Sequence, residues 1–290
     1  MKHRVITLLL LFAAFIGLAQ ELRVEQCNVT SYVSREDSLL VERKVAMLKQ
    51  AGGTVPELML TAAKSMYGTP YVGGQLGLGD VQEKFRVVVG HTDCILFVEA
   101  MLCLSRTAAS APEAGPWYGW FASEVARCRY RNPREIRYFS DRIHYTTEWI
   151  RNLEEKGVVK DVTLELGGEY YDHPINYMST HPSAYKMGKA DIDRIAAVER
   201  TLNEEPLTVI PPEVIPRIAS KVRNGDIICY VTTIGGLDIA HVAIACIDNG
   251  VLKFIHASSV EMKVVLDAKS VANYAAGRRN CAGIKVVRPL

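Results

Sequence analysis

Charge of one sign is missing from this 290-residue sequence: 34 lysines and arginines stand against 32 aspartates and glutamates, a formal net charge of +2. So even a balance leaves no electrostatic footprint for nucleic acid or an anionic membrane surface. Internal repeats and low-complexity segments are absent too, and beyond residue 18 nothing approaches the roughly 20 apolar residues that span a bilayer. The seven cysteines form no tight framework, and their odd number leaves at least one thiol unpaired within the chain. Cys229 and Cys246 lie in apolar runs and read as buried core thiols. The glycine-rich Gly73 to Gly79 lacks the Gly-Lys-Ser/Thr of a phosphate loop and reads as a binding loop. His91, Cys94, His241 and His256 match no regular zinc spacing, so neither metal nor cofactor is expected.

What is present begins with a leader. Lys2, His3 and Arg4 precede an apolar run from Val5 to Leu18, and Gly17-Leu-Ala19 offers small residues where signal peptidase reads. Residues 1–19 are therefore expected to be a signal peptide, giving a secreted or periplasmic protein with no stable membrane span. The remainder, 20–290, is expected to be one domain. Helical spacing runs over 38–52 and 55–67, from Cys94 to about Ser105, and over 191–203. Residues 158–166 alternate and predict a strand. The last third carries five short β-rich runs, at 226–233, 241–247, 251–256, 262–266 and 283–287, with Asn249-Gly250 as a hairpin signal. Helices followed by an antiparallel sheet predict an α+β fold.

Chemistry concentrates at three residues. Thr92 or Asp93 can cap the helix that follows, leaving Cys94 in its first turn, where free N–H groups and the helix dipole favour a thiolate. A thiolate nucleophile also needs a base and a group to orient it. His241 opens one strand run and His256 closes the next, and a hairpin centred near 249 brings the two together.

Four blocks now resemble the NlpC/P60 family of cell-wall hydrolases, which have a papain-like core: Gly68 to Gly74 (GTPYVGG), Asp93-Cys94 before a helix, Gly225 to Ile228 (GDII), and His241 to Ile244 with His256 to Ser259. The resemblance implies Cys94 as nucleophile, His241 as base, His256 as the orienting residue, and Tyr71 lining the pocket. Two departures stand out. Asp93-Cys94 continues as Ile95-Leu96 rather than Ser-Gly, and 147 residues separate Cys94 from His241, so an insertion is expected at about 106–224. These features resemble a larger subgroup, first catalogued as a domain of unknown function and associated with N-acetylmuramoyl-L-alanine amidase activity. The implied substrate is peptidoglycan or its muropeptide fragments, cut between N-acetylmuramic acid and L-alanine. The alternatives are a stem-peptide endopeptidase and an inactive wall-binding module. Asp93 is either a helix cap or a partner for a substrate amine, while Arg142, His144 and Tyr145 offer donors and an aromatic face for a sugar. His173 and His181 read as binding or structural residues.

Overall fold

The structure, a computed structural model, describes residues 20–24, 27–79 and 82–290. The expected signal peptide over 1–19 lies outside them. Strands Gln20–Val24 (β1) and Val29–Val33 (β2) form an antiparallel pair, and Arg86–Val87 (β3) joins β2 in parallel. Helix Arg35–Ala51 (α1) begins where Ser34 accepts the Asp37 amide and ends at Gly52, whose φ of 63° suits glycine. A Thr54–Glu57 capping box starts Val55–Lys64 (α2).

Cys94–Ser110 (α3) is capped by Asp93, whose side chain accepts from the Leu96 amide at 2.9 Å. The helix runs past the expected Ser105 because Ser105 and Thr107 turn their hydroxyls back onto the carbonyls of Met101 and Cys103, each at 2.7 Å. Their polarity is thereby satisfied inside a buried helix. Tyr118–Arg129 (α4) and Thr146–Glu155 (α5) follow. The strand predicted over 158–166 is corrected: only Val159–Asp161 (β4) is extended, since the chain then turns through Leu166, bonded to the Val162 carbonyl, and Gly167 at φ 95°. Glu169–Tyr171 (β5) pairs with Leu207–Val209 (β6), and between them lie Tyr177–Thr180 (α6) and Lys189–Leu202 (α7).

Ile215–Ile218 (α8) leads into the main sheet: Ile227–Thr232 (β7), Ile239–Asp248 (β8), Val251–Ser258 (β9), Lys263–Leu266 (β10) and Cys281–Pro289 (β11), with Val271–Ala276 (α9) before the last strand. Its order is β10-β9-β8-β7-β11-β4, antiparallel throughout. The fold is α+β, and the segment over 106–224 contributes the edge strand β4.

Alternation along the strands feeds two cores. Cys229, Val231, Val242 and Ile255 pack with α1 to α5 on one face; Ile228, Tyr230, Ala243 and Phe254 pack with α8 and α9 on the other. A sheet buried on both faces explains why β7 is apolar at nearly every position. Among the described residues no helix is long and apolar enough to cross a membrane.

Candidate active site

The β8–β9 hairpin turns through Asn249 and Gly250, both at positive φ, with Asp248 opposite Val251. Continuing this register sets His256 opposite Ala243, so His241 and His256 are diagonal neighbours on one face of the sheet. Nε2 of His241 lies 2.7 Å from Nδ1 of His256. The rings stand almost perpendicular at 87°, with Phe254 and Tyr274 packed around His256. Burial, then the neighbouring His256 and Arg278, pushes His241 down to about 3. Burial likewise lowers His256 to about 4, against the pull of Asp267. Both rings are therefore neutral at physiological pH.

Cys94 approaches from the start of α3, which packs on β8 and β9. Its thiol lies against the main chain of Val242, the residue after His241. Cys94 and Cys281 keep partial solvent access, and the other five cysteines are buried. The expected thiolate is corrected: burial, followed by the adjacent Asp93 carboxylate, pushes the Cys94 thiol up to about 11. Desolvation outweighs the help of the helix start. Among the described residues no hydrogen bond joins the Cys94 sulfur to His241.

Tyr71 is brought beside Cys94 by main-chain pairing. The Thr92 amide donates to the Pro70 carbonyl at 3.0 Å, and the Val72 amide donates to the Thr92 carbonyl at 2.8 Å. Burial, followed by the neighbouring Cys94 and Asp93, raises the Tyr71 phenol above its ordinary value.

A cavity of about 250 Å³ adjoins the first turn of α3, walled by the Gly74 to Leu78 loop. Asp93, Arg142, His144 and Tyr145 all line it, as do Phe139 and Trp149. Their polar atoms are largely engaged within the protein. Arg142 donates to the carbonyls of Leu76 and Gly77 and to Glu83, at 3.0 to 3.1 Å. His144 bonds the Phe139 carbonyl at 2.9 Å, and burial pushes it down to about 3, so it donates through Nε2. The Tyr145 hydroxyl bonds Glu199 at 2.7 Å. Arg142, His144 and Tyr145 thus build the wall with their polar groups already engaged, while the Trp149 indole N–H has no partner among the described residues. His173 bonds two loop carbonyls, and His181 stacks on Tyr177. Among the described residues no group of three or more histidine, cysteine or acidic side chains is arranged to hold a metal.

Two neighbours of the histidines went unread in the sequence. Asp267 follows β10, with Oδ2 at 3.3 Å from Nε2 of His256. Arg278 lies over the Tyr274 ring at 4.4 Å. Asp267 is placed by the β9–β10 register, which sets Leu266 opposite Ile255, one step from His256.

The family model described as N-acetylmuramoyl-L-alanine amidase-like (AmiA-like) matches residues 61–281. The chain belongs to that family. The match replaces the NlpC/P60 assignment suggested by the sequence blocks, which were short and covered a minority of the chain. Similar solved structures include one named as such an amidase. An N-acetylmuramoyl-L-alanine amidase from Bacteroides uniformis ATCC 8492 is 28% identical, with 82% of this chain and 100% of that one aligned at a TM-score of 0.75. A Bacteroides fragilis protein carrying the provisional name of a xylanase is 31% identical over 78% of this chain and 98% of that one, at a TM-score of 0.71. A Legionella pneumophila protein, 21% identical over 88% of this chain and 95% of that one, shares the fold at a TM-score of 0.68. Among curated proteins no match is found. The protein is an amidase-like hydrolase, and peptidoglycan is the material on which its family's name rests.

Proposed function

We propose that this amidase-like protein is exported and hydrolyses the amide between N-acetylmuramic acid and L-alanine, in the wall or in fragments of it, by cysteine catalysis. One observation carries the reading: a partly accessible cysteine at a helix start lies against the residue after His241, whose far nitrogen is held by His256 at 2.7 Å. A nucleophile, a base and an orienting group in that order are what acyl transfer requires. Residues 20–290 are read as one domain, a helix-borne cysteine packed on a histidine-bearing antiparallel sheet, with 106–224 inserted.

In the resting protein both partners are neutral. The Cys94 proton passes to Nδ1 of His241 as sulfur bonds the carbonyl carbon, giving a tetrahedral oxyanion. The N–H of Cys94, at the first position of α3, has no acceptor in a preceding helical turn and is a donor for that oxyanion. His241 then gives its proton to the nitrogen of L-alanine as the C–N bond breaks. Water, deprotonated by His241, hydrolyses the thioester and regenerates the thiol. The cavity beside Asp93 receives the muramic acid ring against its aromatic wall.

Mass spectrometry of muropeptides after incubation tests the reading. The expected products are an intact peptide beginning with L-alanine and a peptide-free sugar. Cys94→Ala should lose turnover while staying folded, and chelators should leave the wild type unaffected. Efficient cleavage of sugar-free peptides between their second and third residues would replace the amidase reading with the endopeptidase one.

A further inference from the structure

Nε2 of His256 is buried and has no full hydrogen bond among the described residues. Its polar neighbour is Oδ2 of Asp267 at 3.3 Å, an angled contact. That carboxylate is not free to swing. The Asp267 amide donates to the Phe254 carbonyl at 3.0 Å, and the Lys269 amide donates to Oδ1 at 2.8 Å, leaving Oδ2 for the histidine.

We infer that Asp267 is a positioning residue that sets the tautomers of both histidines and so presents His241 to Cys94 as a base. The inference rests on the cysteine-hydrolase reading. A carboxylate only accepts, so the ring atom beside it, Nε2 of His256, carries hydrogen. In a neutral imidazole Nδ1 is then a bare lone pair, and across 2.7 Å it needs a donor. Nε2 of His241 must supply that N–H. The proton-free nitrogen of His241 is therefore Nδ1, which makes no hydrogen bond among the described residues. One carboxylate at the sheet edge thus fixes the lone pair two rings away.

The charges around the pair make this anion matter. Tyr230 faces His241 from β7, Tyr274 faces both rings from α9, and the Arg278 guanidinium beyond α9 disfavours a proton on either ring. Asp267 is the anion that opposes Arg278. When His241 takes the thiol proton, its new charge spreads through His256 toward Asp267.

Long-range ¹H–¹⁵N spectra of histidine-labelled protein test the link without using activity. In the wild type, both His241 and His256 should carry hydrogen on Nε2 alone. Asp267→Asn should give mixed or reversed tautomers, because an amide can present either its oxygen or its NH₂. Its kcat should fall by about tenfold or more, toward the roughly 10⁴-fold that a wrong tautomer costs in a serine triad. KM should hold, the acid limb of the pH profile should move, and Asp267→Glu should restore part of the rate. Hydrogen on Nδ1 of wild-type His256 overturns the inference, whether or not a variant folds. So do unchanged tautomers and kcat in Asp267→Asn. Full activity in Cys94→Ala would instead remove the cysteine reading, while the spectra still decide the Asp267 link.

Discussion

Nε of Arg129 lies 3.1 and 3.2 Å from the two carboxylate oxygens of Glu99, and each side chain is only 5% exposed. Glu99 stands five residues beyond Cys94 on α3, and Arg129 ends α4 while also donating to the Arg86 carbonyl on β3. The pair ties the helix that begins at Cys94 to two other elements. Burial opposes the guanidinium charge, but Glu99 outweighs it and holds the group above its ordinary range.

Removing one partner leaves the other charge buried and unpaired, which costs about 3–5 kcal/mol. Arg129→Met alone should therefore be strongly destabilised in urea titrations. Glu99→Leu combined with Arg129→Met should recover much of the loss, because an apolar pair of similar volume carries no desolvation penalty. A double variant no more stable than Arg129→Met would show that the cost lies in packing or in the lost contact to Arg86.

Cys94 reactivity gives a second test. A thiol raised to about 11 is ionised in roughly one molecule in 10⁴ at pH 7. Alkylation of Cys94 by iodoacetamide should climb nearly tenfold per pH unit from 7 to 10, with no plateau near neutrality. Asp93→Asn keeps a good helix cap and removes the adjacent negative charge, so labelling should quicken at every pH. A rate already flat at pH 7 would mean a resting thiolate, with the helix start winning over burial.

Local chemistry is what the sequence made legible. Asn249-Gly250 allowed a two-residue hairpin, Asp93 marked the start of α3, and the two histidines followed from that turn. Long-range register and internal satisfaction were hidden. Asp267 reaches His256 only through the β9–β10 pairing, whose turn uses Met262 at φ 54° in place of a glycine. Glu99 is a single acid in an apolar run, with nothing nearby in sequence to name Arg129 as its partner. Arg142, His144 and Tyr145 could be read as donors, but not that Glu83, Phe139 and Glu199 already engage them. The short blocks pointed to cell-wall amide chemistry yet to the wrong family, which took a match across 61–281 to correct.

His144 provides a pH test that is separate from Cys94 and the paired histidines. Burial first, then Arg142 and Arg131, push it from 6.5 to about 3, and its bond to the Phe139 carbonyl only partly opposes them. The unfolded chain takes up a proton below 6.5 that the folded protein refuses. Stability from this residue is thus fully present above 6.5 and lost as pH falls from there toward 3. Between pH 7 and 5 the loss amounts to about 1–2 kcal/mol for a histidine that stays neutral when folded. His241 and His256 push in the same direction, while Asp93, Asp238, Glu83 and Glu148, all raised chiefly by burial, push in the opposite one. The net curve therefore mixes terms of both signs, and a comparison isolates one. His144→Gln keeps a donor for the Phe139 carbonyl and cannot titrate. Urea midpoints measured at pH 7 and pH 5 should fall further for wild type than for His144→Gln, by a difference equivalent to that 1–2 kcal/mol. Parallel falls would mean that His144 gains its proton in the folded state, with Arg142 and Arg131 too well neutralised by their carboxylates to prevent it.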